Sequence, residues 1–145
     1  MDSNFSLDAL TAGVLSEIFA NAYIDTMIDD DGDVVIDDEI GAAVRISCDR
    51  DLLTFQTSFG TSAAYLDALA FVNHFNREVQ LVKAIASDDQ DEEGDWVITF
   101  EYDVRVYPKE HISASHVVRL SREFSELVHH GITVADPGHI FPSDT

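Results

Sequence analysis

This sequence is short of the residues that most small-site chemistry needs. It has one cysteine, Cys48, so neither an internal disulfide nor a cysteine cluster for zinc can form. Cys48 ends an alternating apolar stretch that begins at Ala42, where a buried structural thiol is expected ahead of a reactive one. Lysine and arginine number 8 against 28 for aspartate and glutamate, and the only lysines are Lys83 and Lys109. The resulting formal charge of -20 repels phosphate backbones and anionic lipid, which argues against nucleic acid and membrane surfaces as partners. No apolar run reaches the length of a membrane span, and the opening MDSNFSLDAL lacks the basic and apolar regions of a signal peptide. A cytoplasmic protein is expected.

Catalytic patterns are missing as well. There is no G-x-S-x-G elbow, no Walker loop and no dinucleotide fingerprint, and Cys48 has no credible base. The histidines His74, His111, His116, His129, His130 and His139 make no i, i+4 pair that would place two imidazoles on one helix face. His129 and His130 are expected in the last turn of a helix, beside its exposed carbonyls. The many carboxylates fall mostly in turns, where water keeps them ordinary. Glu101 and Asp103 share a strand face with Arg105, a routine partner. No catalytic, cofactor-binding or metal-binding residue is assigned, and a non-enzymatic protein is expected.

What the chain does have is a core. Its 145 residues are 46% hydrophobic, and folding at this size buries roughly two-thirds of the unfolded surface. Ser6 to Ala22 reads as a first helix, with Ser6 as N-cap and Leu7, Leu10, Val14 and Ile18 inward. Asp31-Gly32 is a hairpin signal between an apolar run ending at Ile28 and Val34-Val35-Ile36. Ala42 to Cys48 alternates, and Asp49-Arg50-Asp51 turns the chain into Leu53, Phe55, Thr57 and Phe59. Gly60-Thr61-Ser62 breaks that strand before a second helix with the stripe Tyr65, Leu66, Leu69, Val72 and Phe75. Val79 to Ala86 reads as a strand and Asp88 to Asp95 as an acidic turn.

The clearest period-two segment follows. Trp96, Ile98, Phe100, Tyr102, Val104 and Val106 lie on one face, and Pro108 ends the strand. A third helix starts near Ser113 or Ser115, carries Val117, Leu120, Phe124, Leu127 and Val128 inward, and stops at Gly131. From Asp136 the chain reads as a loose tail. The expected fold is therefore α+β: an antiparallel sheet with helices on one face, in the order helix, three or four strands, helix, two strands, helix. Residues 1–135 form the single expected domain and residues 136–145 the tail.

Two features invite a functional reading. Asp29, Asp31 and Gly32 fall at the third, fifth and sixth positions of an EF-hand loop, but the first would be Met27 and the twelfth Asp38. Aligned on Gly94, the second acidic turn has Phe100 at the twelfth position, so solvated hairpin turns are the expectation for both. The turns also echo each other: Gly32-Asp33-Val34-Val35-Ile36 and Gly94-Asp95-Trp96-Val97-Ile98 match at four of five positions. Shared turn chemistry explains the echo.

The other feature is Ala68 to Ile85, ALAFVNHFNREVQLVKAI. It passes from a helix face through Asn73 and Asn76 into an apolar strand without proline or glycine. The two amides are expected to cap helix carbonyls and bond the next strand. This helix-to-strand passage, with its Asn-x-x-Asn exit, resembles the YbjN family of small bacterial proteins. Those proteins are described as sensory transduction regulators, with a fold like that of type III secretion chaperones. The resemblance covers about Leu7 to Gly131 and implies a regulatory, protein-binding role without naming a mechanism. The expected partner is another protein, with a homodimer also expected. Two alternatives remain: an acidic secretion chaperone for an effector, and a small metal-binding domain using the aspartate turns.

Overall fold

The structure, a computed structural model, describes residues 3–37, 43–49, 51–107, 109–136 and 140–141. In chain order these form β1 (Asn4–Phe5), a 3-10 turn (Leu7–Ala9), α1 (Ala12–Asn21), β2 (Thr26–Ile28) and β3 (Val34–Asp37). Then come β4 (Ala43–Asp49), β5 (Leu52–Thr61), α2 (Tyr65–Glu78), β6 (Lys83–Gln90), β7 (Trp96–Arg105), β8 (Ile112–Ser113) and α3 (Ala114–Ala135). Six strands make one sheet in the order β2-β3-β4-β5-β7-β6. Side-chain bonds Thr54–Asp103 (2.8 Å) and Ser58–Thr99 (2.9 Å) step in opposite directions along β5 and β7, so this pair is antiparallel like its neighbours. The α+β expectation, a large antiparallel sheet with three helices, holds. The two-residue ladder of β1 with β8 carries no periodic signal and is absent from the sequence reading.

Register explains which side chains are buried. Val34 pairs with Ile46, and Ile46 with Phe55, and all three are fully buried. One residue along, Val35, Arg45 and Gln56 form the adjacent row on the other, wetter face. A one-residue slip would exchange these rows, so core burial fixes the register.

The chain forms two compact units. The first comprises Met1–Gln56 and Tyr102–Ser125. Here Leu15, Ile18 and Phe19 of α1 are buried, and α1 contacts β2 and β3. Phe55 lies 6.2 Å from Phe124 of α3 and 6.2 Å from Tyr102, ring centre to ring centre. The second unit comprises Thr57–Glu101 and Glu126–Thr145. Its centre is aromatic: Phe100 is 4.9 Å from Phe75 and 6.1 Å from Phe71, at tilted and edge-on angles that suit ring quadrupoles.

Several expectations change. The first helix starts at Ala12, capped by Thr11, whose Oγ1 accepts the Val14 N–H at 3.2 Å; Ser6 caps nothing. Leu15, Ile18 and Phe19 form the buried stripe, and Val14 is only half-buried. β5 runs through Gly60 to Thr61, so the glycine does not break it. In α2, Phe71 and Ala68 are buried while Leu66 is 76% exposed. Val79 to Val82 is connection rather than strand.

Gly131 does not stop α3, which continues to Ala135. A Cβ there would sit 2.1 Å from Phe75 Cε2 and 2.8 Å from Val79 Cγ2, so the glycine admits these side chains against the helix. His129 and His130 are therefore mid-helix and exposed, without the expected terminal carbonyls to face. The tail is not loose at Ile140 and Phe141. Asp136 accepts both their N–H groups (2.9 and 3.1 Å), Thr61 donates to the Ile140 carbonyl (2.7 Å), and Phe141 is buried 4.9 Å from Phe71. Pro108 and His139 lie outside the described residues.

Candidate functional site

Each unit contains a helix leading into an edge strand, and the two edges are finished differently. In the first unit, α1 closes with Tyr23 N–H donating to Ala20 C=O (3.0 Å) and Ile24 N–H to Phe19 C=O (2.9 Å). This is a Schellman end, whose left-handed position is usually glycine. Tyr23 occupies it at φ 61°, with its side chain 98% exposed. The edge strand β2 then presents Met27 (63% exposed) and Ile28 (52%). Asp29 N–H donates to Asp33 C=O (2.9 Å), so in the alternating ladder Met27–Val35 is also a hydrogen-bonded pair. Thr26 and Ile28 therefore turn their N–H and C=O groups away from β3. Among the described residues, no side chain meets those groups.

In the second unit, β6 is the edge. Asn76 of α2 closes it at Ala84: the Asn76 side-chain N–H donates to the Ala84 carbonyl (3.0 Å) and its Oδ1 accepts the Ala84 N–H (2.8 Å). The expectation that an amide at the helix exit bonds the next strand is met by Asn76, while Asn73 is exposed. Leu81, at φ 70°, turns the chain tightly enough for Val82 N–H to reach Gln80 C=O at 2.7 Å. Ser87 Oγ accepts the Val97 N–H (3.0 Å) at an irregularity between Ala86 and Gln90.

The acidic turns share one construction. Asp29 Oδ1 accepts the N–H groups of Asp31 (3.0 Å) and Asp33 (2.9 Å), while Gly32 N–H reaches the Asp29 carbonyl (3.0 Å). Asp91 Oδ1 does the same for Glu93 and Asp95 (2.9 Å each), with Gly94 N–H on the Asp91 carbonyl (3.0 Å). Gly32 and Gly94 both stand at φ 83°, the left-handed residue of a type I turn with a bulge. The echo in the sequence is thus the same turn built twice. Asp29 thus gives one carboxylate oxygen to the backbone donors that shape the turn. Asp38 lies outside the described residues, and the described residues contain no metal-ligand cluster.

Around the first turn, Arg45 donates to Gln56 and stands 3.7 Å from Asp31 and 4.0 Å from Asp33. Burial raises the Asp33 carboxyl above its ordinary pKa; Asp29 and Asp31 add to this and Arg45 opposes it. Asp33 and Cys48 line a cavity of about 190 Å³ beside Leu10, Thr11 and Leu15. The Cys48 thiol is pushed up to about 11, first by burial and then by the Asp33 charge, so at neutral pH it is protonated and a poor nucleophile.

The other sequence candidates are dispersed. Glu101 meets Lys83 (3.6 Å) and Asp103 meets Thr54, so neither relies on Arg105, which lies 5.7 Å from the centre of the Tyr107 ring. His74 is half-buried, His111 and His116 are exposed, and the His116 N–H is capped by Ser113 Oγ (3.1 Å). Sequence reasoning missed Tyr23, Met27 and Ile28. Their signal was an apolar run beside the hairpin, but apolarity alone does not separate an exposed edge from a buried strand.

No helix among the described residues is long and apolar enough to cross a membrane. A search of curated proteins finds no match. Among solved structures, the crystal structure of YbjN from E. coli, described there as "a putative transcription regulator", aligns with a TM-score of 0.70 at 13% identity. The alignment covers 88% of this chain and 93% of that one, a likeness of fold. The family model YbjN, "Putative bacterial sensory transduction regulator", matches residues 11–131. With most of its length inside that match, and a sheet and helices arranged like those of the solved relative, this chain belongs to the YbjN family.

Proposed function

We propose that this chain is a cytoplasmic, non-enzymatic regulator that acts by holding another protein, using a fold of the secretion-chaperone kind. The observation that carries this reading is the cluster Tyr23, Met27 and Ile28. Three large apolar side chains stand mostly in water within six residues of chain, and one sits in a backbone conformation that disfavours it. Exposure and strain together find their return in a bound partner. The net charge of -20 favours basic partners and speeds their approach. The reading also includes a homodimer over a single domain of residues 1–135 with Ile140 and Phe141 packed on it, and the contact apolar at its centre because two such charges repel.

Affinity capture from the native host at moderate salt, with mass spectrometry of the retained proteins, tests the reading. One or a few partners retained in stoichiometric amount are expected. Retention of nothing beyond charge-driven background overturns it. Light scattering on the purified chain tests the dimer, for which a mass of 16.1 kDa at both low and physiological salt is the contrary result.

A further inference from the structure

The two edges of the six-stranded sheet differ in whether their outward backbone groups are occupied. At β6, Asn76 fills both hydrogen-bonding positions of Ala84, and an irregularity and acidic residues follow. These devices keep a foreign strand off an edge. At β2 the outward groups of Thr26 and Ile28 meet no side chain among the described residues. Met27 and Ile28 stand exposed on this strand, and Tyr23 stands exposed before it. Acidic groups bracket the strand: Asp25 precedes it, and Asp29, Asp30 and Asp31 follow.

We infer that the edge of β2 is a strand-addition site for an extended partner segment in which apolar and basic side chains alternate. Backbone groups of the segment would pair with Thr26 and Ile28, and its apolar side chains would cover Ile28 on the face that holds Val34 and Ile36. Its basic side chains, on the opposite face, would lay their stems along Met27 and meet Asp25, which no bridge engages among the described residues. A second copy of this chain is the poorer occupant, because it would bring a second set of aspartates against the first. The inference rests on the protein-binding reading above and adds to it the surface and the chemistry of the partner. Main-chain pairing supplies affinity in such complexes, and the alternate side chains supply selectivity.

The test uses the full chain, 15N-labelled, with three capped octapeptides as probes: alternating Lys-Val, a block peptide of four lysines then four valines, and alternating Glu-Val. Amide exchange is read residue by residue. With alternating Lys-Val, exchange at Thr26 and Ile28 is expected to slow at least about tenfold, as new hydrogen bonds protect those amides. The block peptide, equal in charge, and Glu-Val are expected to leave them unchanged.

Ile28→Pro removes one outward donor without touching the Met27–Val35 pair and is expected to weaken Lys-Val binding several-fold. Should that variant fail to fold, Met27→Lys, which sets a positive charge against the probe's lysines on that face, is expected to do the same. Equal protection by the block peptide, protection confined to other strands, or no protection overturns the inference. So does protection of Thr26 and Ile28 that rises with protein concentration without peptide, which would assign the edge to a second copy. Capture with the Met27→Lys chain separates the two readings. Partners retained equally by both chains refute the β2 assignment alone, and no partner on either refutes protein binding itself.

Discussion

Replacing Tyr23 with glycine should stabilise this protein. The residue holds the left-handed position of the α1 end at φ 61°. An L side chain in that conformation costs about 1–2 kcal/mol. Glycine removes the cost, and its greater freedom in the unfolded chain returns about 0.5–1 kcal/mol of it. Because the ring is 98% exposed, no burial is lost. The net gain is about 0.5–1 kcal/mol, or an upward shift in Tm of roughly 1–4 °C at this size. Urea unfolding reads it as a higher midpoint with an unchanged slope. Tyr23→Ala is the control: it keeps a Cβ, hence the strain, and should leave the midpoint nearly where it was. A lower midpoint for Tyr23→Gly would mean that the ring makes contacts the structure does not contain. Equal gains in both variants would mean that the backbone is not strained. On the protein-binding role proposed above, the stabilised variant should also retain less partner in affinity capture, since stability and function then draw on this side chain in opposite directions.

Gly131→Ala should destabilise by at least about 1–3 kcal/mol despite alanine's better helix propensity, because its methyl would overlap Phe75; a gain in Tm refutes the close approach. Phe100→Ala should cost about 3–5 kcal/mol and Thr99→Ala, on the opposite face, little; equal small losses in urea midpoints would show that the faces are misassigned. Asp33→Asn should stabilise at neutral pH. The raised pKa means that the charged form is disfavoured by folding, so the native carboxyl favours folding below its unfolded pKa near 3.8 and loses that contribution as pH rises through the folded value. The two proteins should therefore differ most above that range and converge below it, and a constant difference across pH would refute the linkage. Millimolar calcium should leave Tm where matched magnesium leaves it, whereas a site filled at a hundred times its Kd would add about 2.7 kcal/mol.

What was legible in the sequence followed from local periodicity. The face of β7 that holds Ile98, Phe100 and Tyr102 was readable because period two persists over ten residues. Both turns were readable because glycine among acids has few alternatives. Helix ends were harder. Gly131 looks like a stop by local chemistry, yet Phe75 of another helix needs the space where its side chain would be. Leu66 looks inward on a helical wheel, but α2 begins at Tyr65 and turns Ala68 and Phe71 to the core instead. The candidate site was the least legible part. Whether an edge strand's outward groups are occupied depends on a residue such as Asn76, eight positions from the Ala84 it closes. That no described residue does the same at β2 leaves no trace in local pattern.

The small ladder of β1 with β8 has a kinetic consequence. It joins Asn4 to Ser113 and Phe5 to Ile112, and Ala114 N–H adds a bond to the Ser3 carbonyl at 2.8 Å. Closing a span of more than a hundred residues costs about 3 kcal/mol more entropy than closing a hairpin of about four. Four strand residues cannot offset that until the intervening chain has already ordered. Residues 3–5 should therefore dock last as the chain folds and detach first as it opens. Their amides would exchange through a low-energy local opening while Phe55 and Phe100 wait for global unfolding. An early protease would find its first foothold at the amino-terminal strand.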